Sequence, residues 1–372
     1  MAALRPEVLF FVPYAGPLVA ARAGIGVTAS TGGAETQLFL IAQALRRRGH
    51  RIALALADVP VELPDVVDGI DVVRLPPFGP GARRFLRFAL AAVRDVDADV
   101  IVQRAAGSFT GLVGVPARMR RRRFVYSTAS DLDFDPDLLS DGIIAPRLFR
   151  LGVRCANAIV VQTDAQAKLS RTRWRRPCTV IRSVAEPAPL RAAEPEAFLW
   201  IGRINANKRP QAVVELAARL PQARFRMVIA GSRPEETLER NLRERAATLA
   251  NLELLGPQSR DALAPLLGRA VAILSTSHAE GMPNVLLEGW ARGVPALVLS
   301  HDPDGLIRRR KLGWSAEDSP DRLAELAATA WDTRNDQAEL SARCRAYVAS
   351  EHAPDRIAAR WEDVLALSAP GG

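Results

Sequence analysis

Short apolar runs rich in Val, Ile, Leu and Phe recur along the chain, separated by longer stretches with helical spacing. Runs of this kind suit strands buried on both faces and the stretches between them suit crossover helices, so the pattern predicts an α/β protein with parallel sheets. In the first half, strands are expected at Val8–Val12, Arg51–Leu56, Asp71–Arg74, Val100–Gln103, Phe124–Ser127 and Ala158–Gln162. The clearest helix is Ala34–Arg48, where Leu38, Ile41, Ala42 and Leu45 fall on one face and Gly49 supplies the stop.

Around Ala185–Glu196 the chain turns rich in Pro, Ala and Glu, the composition of a linker rather than of a core element. The cycle then restarts. Strands are expected at Phe198–Ile201, Arg226–Ala230, Asn251–Leu254, Val271–Ser275 and Ala296–Leu299, with helices at Gln211–Leu220, Glu235–Ala250 and Val285–Ala291. The expected organisation is therefore two Rossmann-like domains, residues 1–184 and 185–354, with a C-terminal helix at about 355–372 crossing back to brace the first. The amphipathic stretch Arg356–Leu367 provides that brace. The carboxyl ends of the two sets of strands are expected to face each other across a ligand-binding cleft.

With 372 residues, 48% of them hydrophobic and 24% charged, the chain has enough apolar surface for two ordinary domains and no low-complexity block. The formal charge of +9 invites a nucleic-acid or membrane partner. The positive charge is almost all arginine, with only Lys168, Lys208 and Lys311 as lysines. That skew, beside abundant alanine, reads as coding bias, and no nucleic-acid role is expected. Cys155, Cys178 and Cys344 have neither metal-ligand spacing nor the even number of a disulfide framework, which fits a cytoplasmic protein. Val8–Ala21 has the flanks of a signal peptide, but Pro13 and Pro17 favour a buried strand running into a loop, and no transmembrane helix is expected.

The segment from His278 to Glu288, followed by Gly289 to Pro295, carries the most chemistry. A strand ends in a loop at Glu280-Gly281, where Gly281 permits a positive φ, and Pro283 pre-sets the first helical turn. The backbone N–H groups of Met282, Asn284 and Val285 would form an anion site at a helix N-terminus. Glu280 and Glu288 flank it and, as acceptors for vicinal hydroxyls, could hold a sugar and a ribose on either side of a bound diphosphate. Read without that ligand, Glu280 is a capping residue and Glu288 a solvated helix residue.

This segment resembles the E-x7-E signature of retaining glycosyltransferase family 4, of GT-B fold, and the resemblance spans nearly the whole chain. Gly202-Arg-Ile-Asn-Ala-Asn-Lys-Arg-Pro210 is similar to the loop after the first strand of that family's donor domain, which assigns Arg203 and Lys208 to the donor diphosphate. Preorganised cations and a helix N-terminus suit a leaving group that gains charge in the transition state. Thr31-Gly-Gly-Ala-Glu35 resembles the glycine-rich turn of the acceptor domain, which assigns Gly32 and Gly33. Many relatives carry a histidine after the fourth strand, where this chain has Val102-Gln-Arg-Ala105, so the resemblance puts Arg104 in its place. His278 reads as a loop residue. The family implies reaction with retention at the anomeric carbon, no metal and no cofactor. The implied partners are a nucleotide sugar and a carbohydrate or lipid-linked acceptor in polysaccharide or glycolipid synthesis.

Other motifs compete. Gly24-Ile-Gly-Val-Thr-Ala29 matches a dinucleotide fingerprint only by letter, because it stands well beyond the first strand. Asp131-Leu-Asp-Phe-Asp-Pro-Asp137 lacks the glycine and distal glutamate of a calcium loop and reads as a polar loop. Arg118, Arg120–Arg123 and the basic stretch Arg83–Val93 are compatible with peripheral contact at the inner face of a membrane, or with an ordinary solvated face. Two other functions fit the same scaffold: an epimerase or phosphorylase, or a nucleotide-sugar-binding subunit without turnover.

Overall fold

The computed structural model describes residues 6–25, 32–57, 59–76, 87, 91, 98–135, 137, 143–192, 194–229 and 236–367. They form two compact units. One runs through Val184 and takes up the chain again from Pro354; the other is Ala185–Ala353.

The first unit is built on strands β1 (Val8–Phe11), β2 (Ile52–Leu56), β3 (Val66–Val67), β4 (Ile70–Arg74), β5 (Val100–Arg104), β6 (Arg123–Ser127), β7 (Ala158–Val161) and β8 (Thr179–Val180). Their order is β3-β4-β2-β1-β5-β6-β7-β8, parallel throughout except for the short antiparallel pair β3/β4. β3 and β8 have two residues each, too few to leave a periodic signal in the sequence. Pro17 does not mark a loop: it occupies the first turn of a helix, Gly16–Arg22, where its missing N–H is not needed.

The helix Gly33–Arg47 is buried along Gln37–Leu45 rather than on one face alone. The sheet covers one side, and the C-terminal helix Pro354–Leu365 covers the other, adding Ile357, Trp361 and Leu365 to the same core. Gly49, at φ +97°, ends the helix: its N–H bonds Arg46 C=O and that of His50 bonds Leu45 C=O. Glu362 on the C-terminal helix then receives Arg48 at 2.7 and 2.8 Å and His50 Nε2 at 2.8 Å. The Arg48 hydrogen bond holds the Glu362 carboxyl below its ordinary pKa. On the opposite face of the sheet, helices Ser108–Met119 and Ile144–Cys155 meet backbone to backbone, since a Cβ on Gly152 would lie 2.2 Å from Thr110 O.

The second unit has strands β9 (Ala197–Gly202), β10 (Phe225–Ile229), β11 (Leu252–Leu255), β12 (Ala270–Ser275), β13 (Ala296–Val298) and β14 (Gly313–Ser315), in the parallel order β11-β10-β9-β12-β13-β14. The stretch between the units is extended and bound to the second: Arg191 N–H donates to Arg292 C=O, and Ala192 N–H to Gly268 C=O. Cys155, Cys178 and Cys344 are free thiols, and burial pushes that of Cys344 up to about 12.

Candidate active site

Strand order builds the site in the second unit. β9 and β12 are neighbours, so the loops that leave their carboxyl ends lie side by side, although Lys208 and Glu280 are 72 residues apart in sequence. The β9 loop leaves at Gly202, whose missing Cβ admits the Trp200 ring at 2.9 Å. Trp200 Nε1–H donates to Thr276 Oγ1 at 3.0 Å, and the Thr276 hydroxyl donates to Lys208 C=O at 2.6 Å. Asn205 caps the short 3-10 turn Ala206–Lys208 by accepting the Lys208 N–H at 3.0 Å.

Asn207 joins the two loops. Its Nδ2 donates to Ala279 C=O at 2.9 Å, its Oδ1 accepts Ala279 N–H at 3.1 Å, and its own C=O accepts His278 N–H at 2.8 Å. This fixes the backbone on either side of the ion pair between Lys208 Nζ and Glu280, whose side chains are 23% and 17% exposed. Arg203, on the same loop, is exposed and has no hydrogen-bond or ion-pair partner among the described residues.

Beyond Glu280 the chain enters the helix Asn284–Ala291. Gly281 is not in the left-handed region expected of it: the positive-φ glycines do not include it. The turn is held instead by its C=O, which accepts from His301 Nε2 at 3.1 Å, a bond that requires the Nε2–H tautomer. The Met282 side chain is in the core, 4% exposed. Pro283 is the N-cap at φ −63° and ψ 123°, and its C=O accepts the N–H groups of Leu286 and Leu287. The N–H groups of Asn284 and Val285 therefore fall outside the intrahelical ladder, the arrangement that favours an anion. Glu288, half-buried, stands one turn in from Asn284 on the same side. The helix closes at Gly293, φ +80°, with Gly293 N–H bonded to Trp290 C=O and Val294 N–H to Gly289 C=O.

Comparison with known proteins supplies the family. Residues 31–184 match the family described as Glycosyltransferase Family 4, and residues 184–348 match Glycosyl transferases group 1. The chain belongs to these GT-B glycosyltransferases. Among solved structures, HepE of Anabaena, solved in complex with UDP and glucose, is 16% identical with a TM-score of 0.75 over 98% of this chain and 100% of its own. WaaG, a glycosyltransferase involved in lipopolysaccharide biosynthesis, is 14% identical, TM-score 0.66, over 97% and 100%. A glycosyltransferase from Rickettsia africae is 11% identical, TM-score 0.65, over 97% and 98%. No curated protein matches the chain in sequence.

The structure thus gathers Arg203, Lys208, Glu280, Gly281, Met282, Asn284, Val285 and Glu288 in one unit of the glycosyltransferase. Gly32, Gly33 and Arg104 belong to the other. Gly32 is the N-cap of the helix Gly33–Arg47, and both glycines are exposed. Arg104 ends β5, and burial pulls its guanidinium down to about 10. The aspartate-rich segment is not simply a polar loop: Asp131–Phe134 forms a 3-10 turn that buries Asp133 and Phe134. Asp133 accepts the Tyr126 hydroxyl at 3.2 Å and Ala129 N–H at 2.7 Å, and desolvation pushes its carboxyl up to about 6.

Among the described residues no three His, Cys, Asp or Glu side chains converge as metal ligands, and no helix is long and apolar enough to cross a membrane. Part of the basic cluster is structural, since the Arg123 guanidinium donates to Val364 C=O at 2.9 and 3.1 Å. Most of the dinucleotide-like stretch and nearly all of Arg83–Val93 lie outside the described residues.

Proposed function

We propose that this glycosyltransferase is a retaining, metal-independent hexosyltransferase whose second unit holds a nucleotide-diphosphate sugar and whose first unit presents a carbohydrate acceptor. The observation that carries the reading is the Lys208–Glu280 pair, fixed by Asn207 beside the N-terminus of the helix Asn284–Ala291. Lys208 and Arg203 supply cations for the diphosphate, and the N–H groups of Asn284 and Val285 supply fixed dipoles. Together they stabilise the charge that grows on the leaving group as the anomeric C–O bond breaks. Glu280 takes the sugar hydroxyls and Glu288 the ribose hydroxyls, as acceptors. The acceptor oxygen attacks the anomeric carbon on the face from which the diphosphate leaves, and its proton passes to a leaving phosphate oxygen. No protein nucleophile and no cofactor enters this sequence, and the work is assigned to the cytoplasm.

A panel of nucleotide sugars and acceptors, assayed in EDTA with proton NMR of the new anomeric signal, tests the proposal. Transfer that proceeds in EDTA with the donor's anomeric configuration kept is expected. An inverted product, or activity abolished by EDTA and restored by a divalent cation, would overturn it.

A further inference from the structure

Among the described residues of the first unit, Arg104 and Ser127 each bury a hydrogen-bond donor atom that has no partner. Arg104 is 8% exposed, and its Nε is enclosed without a hydrogen bond. No described residue hydrogen-bonds or ion-pairs with the rest of its guanidinium. Ser127 is fully buried, and its Oγ is likewise unpartnered. They end adjacent parallel strands in register, Arg104 opposite Ser127, so both side chains lie on one face of the sheet, at the strand ends where open α/β sheets place ligands.

That face is the one covered by the helix Gly33–Arg47: Val100, Val102 and Val125, in step with Arg104 and Ser127, share a core with Leu38 and Ile41. The N-cap of this helix, Gly32, has no side-chain cap, and the Glu35 carboxylate lies 2.4 Å from where its Cβ would stand. Asp133 and Glu35 favour the charged form of Arg104 through space. Asp133 gives it no hydrogen bond, because its oxygens are occupied by the Tyr126 hydroxyl and by the N–H groups of Ala129, Ala106 and Ser130. A guanidinium held charged and buried, with no hydrogen bond from the described residues, is a site prepared for an anion from outside.

We infer that Arg104 and Ser127 form a subsite for an anionic group, a carboxylate or a phosphate, carried by the acceptor. This deepens the acceptor assignment of the proposed function. It names the substrate class as acidic sugars or sugar phosphates.

The test is binding of glucuronate, glucose 6-phosphate and glucose to the full chain, in wild type, Arg104→Met, Arg104→Lys and Ser127→Ala. The acidic probe that fits, the uronate for a carboxylate site or the phosphate for a phosphate site, should bind about tenfold to a hundredfold tighter than glucose. Arg104→Met should erase that preference and Arg104→Lys keep part of it, while Ser127→Ala lowers it several-fold. The melting temperature of ligand-free Arg104→Met should hold or rise, because a buried charge without a hydrogen bond is removed. Equal binding of charged and neutral sugars, or a preference that survives Arg104→Met, would overturn the inference. Nucleotide-sugar affinity is measured on the wild type in the same buffer as a separate reading. Its absence from the wild type would strike the proposed function and leave the anion subsite standing.

Discussion

Replacing Asn207 by alanine removes both of its own side-chain hydrogen bonds to the β12 loop, at 2.9 and 3.1 Å, and leaves the Ala279 N–H and C=O without those partners in a half-buried place. At about 0.5–1.5 kcal/mol net for each bond, the loss is about 1–3 kcal/mol. For a unit of this size, each kcal/mol moves the melting temperature by roughly 2–4 °C, so a fall of about 2–12 °C is expected. The consequence for ligand binding is separate. Lys208 and Glu280 sit on opposite loops, and a ligand must restore their alignment at its own cost. Nucleotide-sugar affinity should therefore fall by about tenfold for every 1.4 kcal/mol of alignment lost. Asn207→Asp keeps the acceptor but sets a carboxylate against the Ala279 carbonyl, and should bind no better than the alanine variant. Differential scanning fluorimetry and calorimetry read the two effects. Affinity within twofold of wild type, with the melting temperature lowered as calculated, would refute the claim that this clamp aligns the site.

Two further predictions concern the first unit. Gly152→Ala places a methyl 2.2 Å from the Thr110 carbonyl, so the helices Ser108–Met119 and Ile144–Cys155 must part; a loss of about 1–3 kcal/mol in denaturant unfolding is expected, and an unchanged midpoint would contradict the packing. Asp133 has its folded pKa raised from 3.8 to about 6, so the native state binds the proton more tightly than the unfolded chain. The stability this lends is fully present below about pH 4 and is lost as the pH rises through 6, by about 3 kcal/mol. Stability against pH measured for Asp133→Asn should lack that fall, and parallel curves for variant and wild type would count against it.

The long elements were legible because each carries its own signal. The helix Gly33–Arg47 has its stop at Gly49, and the paired β9 and β12 loops stand out by composition. Short elements carried too little: β3 and β8 have two residues each, and β14 has three. Proline misled at Gly16–Arg22, where Pro17 opens a helix instead of breaking one. At the site, residue types were legible and their partners were not. The Lys208–Glu280 pair depends on β9 and β12 being neighbours, a fact of topology. The roles of Asn207, Thr276 and His301 were missed for the same reason, though the two asparagines of the Gly202–Pro210 loop are a capping signal that could have drawn attention there. Gly281 was assigned a positive φ that its carbonyl bond to His301 makes unnecessary.

Calorimetry of a nucleotide-sugar panel without added metal, on wild type and Glu288→Ala, tests the central claim most directly. Selective binding of one donor, weakened about tenfold or more in the variant through lost hydrogen bonds to a charged acceptor, is the expected result. Binding of no donor, or binding indifferent to Glu288, would contradict the assignment of the helix Asn284–Ala291 to the donor nucleotide.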